Sequence, residues 1–130
     1  MCKKKSLIIA AVIILSFSCI YLNNNKNHIK YFTSIDSLIA SRISNEYQII
    51  NEFAIEHRTF YLVNNYIDNT PTFMLFSTIE QNEHFILEKS TVRLGLTNNT
   101  LSFGFSVDNI ELQCTINKQG DKYIFQYIRT

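Results

Sequence analysis

Several residue types are scarce in this chain, and their scarcity limits its chemistry. The 130 residues include no tryptophan, three glycines and one proline. Three glycines are too few for a glycine-rich loop of the kind that cradles phosphate groups. Asparagine and isoleucine are abundant instead, a bias typical of an AT-rich genome that says little about chemistry.

The chain has only three cysteines, Cys2, Cys19 and Cys114. Only Cys114 follows the apolar N-terminal segment, so the remainder of the chain cannot hold an internal disulfide framework. We interpret Cys114 as a small core residue, because it shares a predicted strand face with Leu112 and Ile116. The alternative is a mixed disulfide between Cys114 and a partner protein in an oxidising compartment.

Charge and motif content argue against several classes of function. After Leu22 the chain carries nine Lys and Arg against eleven Asp and Glu, a formal charge of −2. It has no basic stripe, so nucleic-acid binding is not expected. No spacing matches a nucleophile elbow, a catalytic carboxylate pair or a set of metal ligands. The sequence therefore predicts no catalytic residue, no metal site and no cofactor, and favours a protein that is not an enzyme.

The three histidines, His28, His57 and His84, lie in separate segments. This distribution is typical of scattered surface residues. A second hypothesis concerns acidity, because the unperturbed pKa of histidine, about 6.5, lies in the range that compartments outside the cytoplasm visit. Glu56 and Glu83 are the sequence neighbours of His57 and His84, and could tune them. We therefore keep His57 and His84 as candidate pH sensors.

A basic cluster and an apolar run open the chain. Lys3, Lys4 and Lys5 precede the seventeen residues Ser6–Leu22, which include no charged residue. At about 1.5 Å per residue, a helix of this length covers roughly 25 Å, the short end of what spans a bilayer. Because a basic cluster before such a run stays in the cytoplasm, we expect the rest of the chain to be exported.

Three fates fit the apolar segment. It can remain as a single-pass anchor of a bacterial inner membrane, which is our working prediction. It can be cleaved, because Ser16 and Ser18 give the small-x-small arrangement of a signal-peptidase site before Cys19. It can also be a lipoprotein signal with Cys19 as the lipidated residue, although Ser16 occupies the position where a leucine is usual. The predicted organisation is a cytoplasmic flank over 1–5, a transmembrane signal anchor over 6–22, a polar spacer over 23–32 and a periplasmic domain over 33–130.

The periplasmic domain begins with a predicted helix. Thr33 and Asp36 have the spacing of a capping box. Apolar residues then recur at helical spacing and predict an amphipathic helix over about 34–44. Residues 46–57 fit a helix or a strand, and the strand-like segment that follows them favours a strand.

From Phe60 onward the pattern is that of β-strands. The strand that contains Phe73 is apolar on both faces, which predicts that it is covered on both sides. A change of parity predicts a bulge or break near Glu88–Thr91. The predicted fold class is α+β: an N-terminal transmembrane helix, a short amphipathic helix and an antiparallel meander of five to seven strands, as a curved sheet or a partial barrel.

Aromatic residues are concentrated on neighbouring predicted strands. A well-filled core is the simplest interpretation of them. If the sheet curls, they could instead line a pocket for an apolar ligand or border an edge with which a partner chain pairs. The residues of this candidate pocket or partner face are Phe103, Phe105, Tyr123, Phe125 and Tyr127.

The layout of the whole chain resembles that of a known group of proteins. The flank Lys3–Lys5, the run Ser6–Leu22 and the strands from Phe60 to Ile128 resemble the small periplasmic partners of ToxR-like membrane-bound transcription regulators of enteric bacteria, the ToxS, PsaF and FidL-like proteins. The resemblance lies in architecture. It implies a non-enzymatic protein that binds and stabilises a membrane-bound regulator in a hetero-oligomer and helps to sense acidity or an apolar, bile-like ligand. A toxin-neutralising immunity protein and an envelope lipoprotein are the alternatives.

Overall fold

The computed structural model describes residues 29–130. Residues 31–130 form one unit, built from nine β-strands and a single helix, α1 (Ile35–Ala40). The strands are β1 (Tyr31–Phe32), β2 (Tyr47–Ile55), β3 (Arg58–Ile67), β4 (Thr70–Gln81), β5 (His84–Ser90), β6 (Leu94–Gly95), β7 (Thr100–Val107), β8 (Ile110–Gln119) and β9 (Lys122–Arg129).

The strands form two antiparallel sheets. The first sheet has six strands in the order β1-β5-β4-β3-β2, with β6 paired to β4 beside β5. The second sheet has three strands in the order β7-β8-β9. The predicted α+β class with one meander of five to seven strands is therefore wrong: the described chain is predominantly β and its nine strands divide between two sheets.

The predicted N-terminal transmembrane helix finds no support among the residues that the structure describes. Across residues 29–130, no helix is long and apolar enough to cross a membrane. The predicted segment 6–22 lies outside the described residues.

The central strands of the first sheet bury both of their faces. One face packs against the second sheet, and the other face packs against α1. The prediction that the strand containing Phe73 is covered on both sides is confirmed. Each fully buried Leu or Phe side chain contributes about 1.5–3 kcal/mol to stability. The core between the sheets includes Phe60, Leu62, Phe73, Leu75, Leu112 and Ile116, and the core under the helix includes Leu38, Ile39, Ile43, Val63 and Phe76.

The helix is shorter than its apolar spacing predicts. Its capping box uses Ser34 and Ser37 rather than Thr33 and Asp36: the Ser37 N–H donates to Ser34 Oγ at 3.1 Å, and the Ser34 N–H donates to Ser37 Oγ at 3.3 Å. At the other end the Ser41 hydroxyl donates to the Leu38 carbonyl at 2.6 Å. That bond satisfies a carbonyl of the last turn and stabilises the end of the helix there.

Asparagine and aspartate take the place of glycine in two of the tight turns. Asp68 and Asn69 have φ angles of 50° and 64°, and Asn98 and Asn99 have 53° and 64°. Positive φ at both central residues is the mark of a type I′ hairpin turn, and Asn and Asp tolerate this conformation better than other side chains. In a chain with only three glycines, asparagine thus provides the positive φ angles that these turns require.

Two predictions about strands are confirmed. Residues 46–57 contain β2, as the strand interpretation required. The bulge expected near Glu88–Thr91 lies at Glu88: Ser77 pairs with Lys89 and Thr78 pairs with Leu87, so Glu88 is the extra residue. A bulge redirects side chains, and here the side chain of Glu88 meets Arg58.

Candidate functional site

The edge strands of the two sheets, β2 and β9, lie alongside each other. The ring of Phe53 on β2 stacks on Tyr127 of β9 at 4.1 Å between centroids and on Phe125 at 5.7 Å. Farther along, Arg129 Nη2 lies 3.0 Å from Glu56 Oε1. We call this region the β2–β9 edge. Within residues 29–130, β2 pairs only with β3 and β9 pairs only with β8, so each has a row of unpaired backbone N–H and C=O groups.

Strand β9 lacks the features that usually protect a sheet edge. Natural edge strands carry prolines, bulges or charges that discourage pairing with another chain. Strand β2 has a bulge at Ile50 and a charge at Glu52. Strand β9 has neither a proline nor a bulge, and its two charges stand at its ends. Its middle residues that point away from the core are Ile124, Gln126 and Ile128, and Ile128 is 68% exposed.

A cleft of about 460 Å³ lies on the β2–β9 edge. Side chains of β2, β8 and β9 line it, with aromatic and aliphatic groups beside amides. Its mixed lining suits an extended peptide, which presents backbone polar groups and alternating side chains. The lining residues are Asn51, Gln113, Thr115, Phe125, Gln126, Tyr127 and Ile128.

The five aromatic residues predicted as a pocket or partner face divide into two groups. Phe103 and Phe105 pack in the core between the sheets, where Phe105 is buried and Phe103 partly buried. Tyr123, Phe125 and Tyr127 lie on β9, and the last two border the cleft. Phe53 completes the aromatic group but was not predicted. Its strand alternation is visible in the sequence, yet nothing local indicates that it meets β9.

A second, larger opening lies where β2 begins. It is an open depression of about 850 Å³. Its side chains are hydroxyls, amides, one carboxylate and two phenol rings, with no aliphatic and no cationic group. The lining residues are Ser44, Asn45, Glu46, Tyr47, Gln48, Asn64 and Tyr66.

A buried amide, that of Asn64, forms the floor of this depression and belongs to a network of hydrogen-bonded amides. Asn64 Nδ2 donates to the carbonyls of Thr72 at 3.2 Å and Asn65 at 3.4 Å. Asn65 in turn donates from Nδ2 to Asn45 Oδ1 at 3.1 Å and accepts at Oδ1 from the Thr72 hydroxyl at 2.5 Å. Asn45 Nδ2 donates to the Tyr66 carbonyl at 2.8 Å. These bonds fix the orientation of three amides and tie the segment before β2 to β3 and β4.

Two tyrosines of the depression are held by hydrogen bonds at their hydroxyls. Tyr66 and Tyr123 share a bond of 3.1 Å between their oxygens, which links the depression to β9. Burial, followed by the bond to Tyr66, raises the pKa of Tyr123 to about 12. Tyr47 donates to Asp36 Oδ1 at 2.5 Å, and burial followed by this acceptor raises its pKa to about 12. Tyr47 and Tyr123 therefore stay neutral at physiological pH.

A buried arginine, Arg58, connects the two sheets. It is the first residue of β3 and directly follows the β2–β3 turn. Arg58, 3% exposed, donates from Nε to Glu88 Oε1 at 2.6 Å and from Nη2 to Glu88 Oε2 at 3.1 Å. It also contacts Asp108, in the turn between β7 and β8, and lies 3.8 Å from Glu56. Its donors are occupied by carboxylates, so this cluster fixes the second sheet on the first and offers no open site.

The pKa shifts of this cluster follow from its contacts. The hydrogen bonds to Glu88 raise the pKa of Arg58, against the effect of burial. Burial alone would raise the pKa of Glu88, but the hydrogen bonds from Arg58 and Ser77 and the charges of Arg58 and His57 outweigh it and lower that pKa. The Ser77 hydroxyl donates to Glu88 Oε1 at 3.1 Å.

The other predicted site residues lie apart from these openings. His57, in the β2–β3 turn, and His84, at the start of β5, are exposed at one end of the first sheet. His84 Nδ1 lies 2.8 Å from the Asn82 carbonyl. Their role as pH sensors stays a prediction. Among residues 29–130, no group of three or more His, Cys, Asp or Glu side chains is arranged to hold a metal ion.

Cys114 is a free, buried cysteine in the core between the sheets. Burial raises the pKa of its thiol to about 11. In this position the thiol is protonated and shielded, so a mixed disulfide would require local opening. Cys19, the predicted lipidation site, lies outside the described residues.

Comparison of the chain with models of known protein families, with curated proteins and with solved structures identifies no similar protein. The functional argument therefore rests on the geometry of the β2–β9 edge and of the depression beside it.

Proposed function

We propose that this protein is an exported accessory protein that acts by binding another protein, and that the partner adds a β-strand to β9. The observation that carries the proposal is the open β9 edge beside the stacked rings of Phe53 and Tyr127. Unpaired backbone groups on a regular edge strand whose middle residues carry no charge are a template for strand addition. Binding is therefore the function that this edge supports.

The edge also indicates what kind of strand fits. A strand paired to β9 would place one set of side chains beside Phe125 and Tyr127 and the other set beside Ile124 and Ile128, because successive side chains alternate between faces. Both sets would contact apolar or aromatic groups. The ends of β9 carry Lys122 and Arg129. The partner strand is therefore apolar in its middle, with acidic residues favoured at its ends.

The partner class comes from the sequence. The basic and apolar residues 3–22 support export of the domain, and the layout of the chain resembles the partners of membrane-bound transcription regulators. The partner in this proposal is the periplasmic part of such a regulator, in a bacterial envelope. Acidity and an apolar ligand are the candidate signals that the pair would sense.

The test is an affinity pull-down of the tagged full chain, solubilised in detergent from its native host, with bound proteins identified by mass spectrometry. The test variant carries Ile124→Lys and Ile128→Lys, which add the charges that natural edges use. The matched control is Val92→Lys, because Val92 is an exposed aliphatic residue, 75% exposed, outside β9.

We expect the wild type and the control to recover a membrane protein with a cytoplasmic winged-helix domain, and the β9 variant to recover at least about tenfold less. A partner that is recovered equally by all three proteins would contradict strand addition at β9. Recovery of a toxin would instead support the immunity alternative and contradict a regulator as the partner. Unfolding curves of the variants would establish that they keep the fold.

A further inference from the structure

We propose that the depression lined by Tyr47, Asn64 and Tyr66 is a binding site for a neutral saccharide. This inference goes beyond the protein-binding function proposed above and does not depend on it. Its volume of about 850 Å³ lies within the range of about 300–1,000 Å³ typical of small-molecule sites. The depression is open, so a bound ligand would keep part of its surface in solvent.

The lining excludes two common ligand classes. An anion such as a phosphate would meet no cationic side chain there. A lipid chain would meet no aliphatic residue, since the largest apolar groups of the lining are the rings of Tyr47 and Tyr66. The remaining match is a ligand that has both apolar C–H faces and many hydroxyl groups.

Aromatic rings with surrounding hydrogen-bonding groups meet both requirements of a sugar ring. The ring of Tyr66, 49% exposed, offers a flat apolar face with a polar edge. The side chains of Ser44, Glu46 and Gln48 make no hydrogen bond or ion pair with other residues in the 29–130 range, so their polar groups are available to ligand hydroxyls.

The most specific feature is an acceptor that is already oriented. Asn64 is 2% exposed, and its Nδ2 group is engaged by the carbonyls of Asn65 and Thr72. Its Oδ1 accepts no hydrogen bond from residues 29–130. Because none of the fully buried side-chain polar atoms there lacks a partner, this oxygen is not fully buried, and Asn64 is one of the residues that line the depression. A ligand hydroxyl that donates to Asn64 Oδ1 would take the place of water at an acceptor whose orientation is already fixed.

A neutral ligand fits better than an amine. The only carboxylate of the lining, Glu46, belongs to an exposed residue, whereas the acceptor on the floor is an uncharged amide oxygen. A cation seated against Asn64 would lose hydration without a charge partner beside it.

The test uses the purified full chain, labelled with ¹⁵N, in a detergent that has no sugar headgroup. Maltose, cellobiose and N,N′-diacetylchitobiose are titrated separately, with spermidine as the cationic probe, and side-chain amide signals are followed by NMR. We expect at least one saccharide to give saturable shifts at the amides of Gln48 and Asn64 by about 10 mM, a concentration suited to weak binding. We expect Tyr66→Ala to weaken that binding at least tenfold.

The matched control is Tyr31→Ala, since Tyr31 is 49% exposed like Tyr66 but lies on β1. It should change the affinity less than twofold, and Tyr66→Phe, which keeps the ring, should also retain binding. The inference is overturned if none of the saccharides gives saturable shifts, if spermidine alone does, or if Tyr31→Ala has the same effect as Tyr66→Ala. No partner protein is present, so this outcome is independent of strand addition at β9.

Discussion

Phe53 and Tyr127 stack with their ring centroids 4.1 Å apart and their planes 17° apart, although one belongs to the six-stranded sheet and the other to the three-stranded sheet. This pair holds the two open edges next to each other. A partner strand that pairs with β9 therefore meets side chains that are already ordered, and less conformational entropy is lost on binding.

Removing one ring of this pair should lower stability in a measurable way. Phe53→Ala is expected to reduce the free energy of unfolding by about 2–3 kcal/mol, below the cost for a fully buried ring because Phe53 is only partly buried. In a double-mutant cycle with Tyr127→Ala, urea unfolding should give a coupling energy of about 1 kcal/mol. Phe53→Ala combined with Tyr31→Ala should be additive, and equal coupling for both pairs would contradict a specific stack.

The salt bridges of Arg58 should make stability depend on acid. Because the pKa of Glu88 is lower in the folded protein than in the unfolded chain, ionised Glu88 favours folding. This contribution is complete above the unfolded-state pKa of about 4.3 and is lost as the pH falls through the lower folded-state value. Glu88→Gln should weaken this pH dependence, measured by urea unfolding between about pH 2 and 7. An unchanged profile would show that Glu88 does not contribute.

Removing one partner of the Arg58–Glu88 pair should lower the free energy of unfolding more than replacing both partners. Glu88→Gln leaves Arg58, 3% exposed, short of a carboxylate and should lower the free energy of unfolding at pH 7 by about 3 kcal/mol. Replacing both residues, with Arg58→Met and Glu88→Leu, removes the buried charges together and should cost less than the single change. A double variant that is less stable than Glu88→Gln would contradict this account.

Substitutions in the β3–β4 turn test the role of asparagine at positive φ. Asn69 has φ of 64°, and Asn69→Ala should destabilise the protein by about 1 kcal/mol, since alanine is strained in the left-handed region. Asn69→Gly should leave stability within about 0.5 kcal/mol of the wild type, because glycine adopts this conformation freely. Thermal unfolding of both variants measures the difference. Equal effects of the two changes would argue against a conformational cause.

Cys114 should be unreactive while the protein is folded. Burial raises the pKa of its thiol to about 11, so at pH 7 it is neutral and shielded. In a chain with Cys2→Ser and Cys19→Ser, a maleimide should label Cys114 slowly in buffer and at once in urea, as mass spectrometry would record. Rapid labelling of the folded chain would instead support the mixed-disulfide alternative.

The local features of the fold were predictable because each leaves a short-range pattern. Leu101, Phe103, Phe105 and Val107 alternate as a strand with one buried face requires, and β7 follows that pattern. The parity change near Glu88 predicted the bulge. The division into two sheets leaves no such pattern, since strands of either sheet alternate in the same way. The fold class was therefore wrong although the predicted strands were present.

The candidate site could be predicted only in part for the same reason. Phe125 and Tyr127 stand out as alternating aromatics on a terminal strand. Phe53 and the burial of Arg58 depend on contacts between residues far apart in sequence. The helix was predicted to be longer than it is. Ile43 is buried and follows the helical spacing, although α1 ends at Ala40.

The most direct test of the central claim is amide hydrogen exchange of the full chain with and without the partner recovered in the pull-down. If the partner adds a strand to β9, alternate amides of β9, those that point away from β8, should become protected, while those of the β1 edge stay unchanged. Protection of another surface, with the exchange of β9 unaltered, would contradict strand addition at this edge.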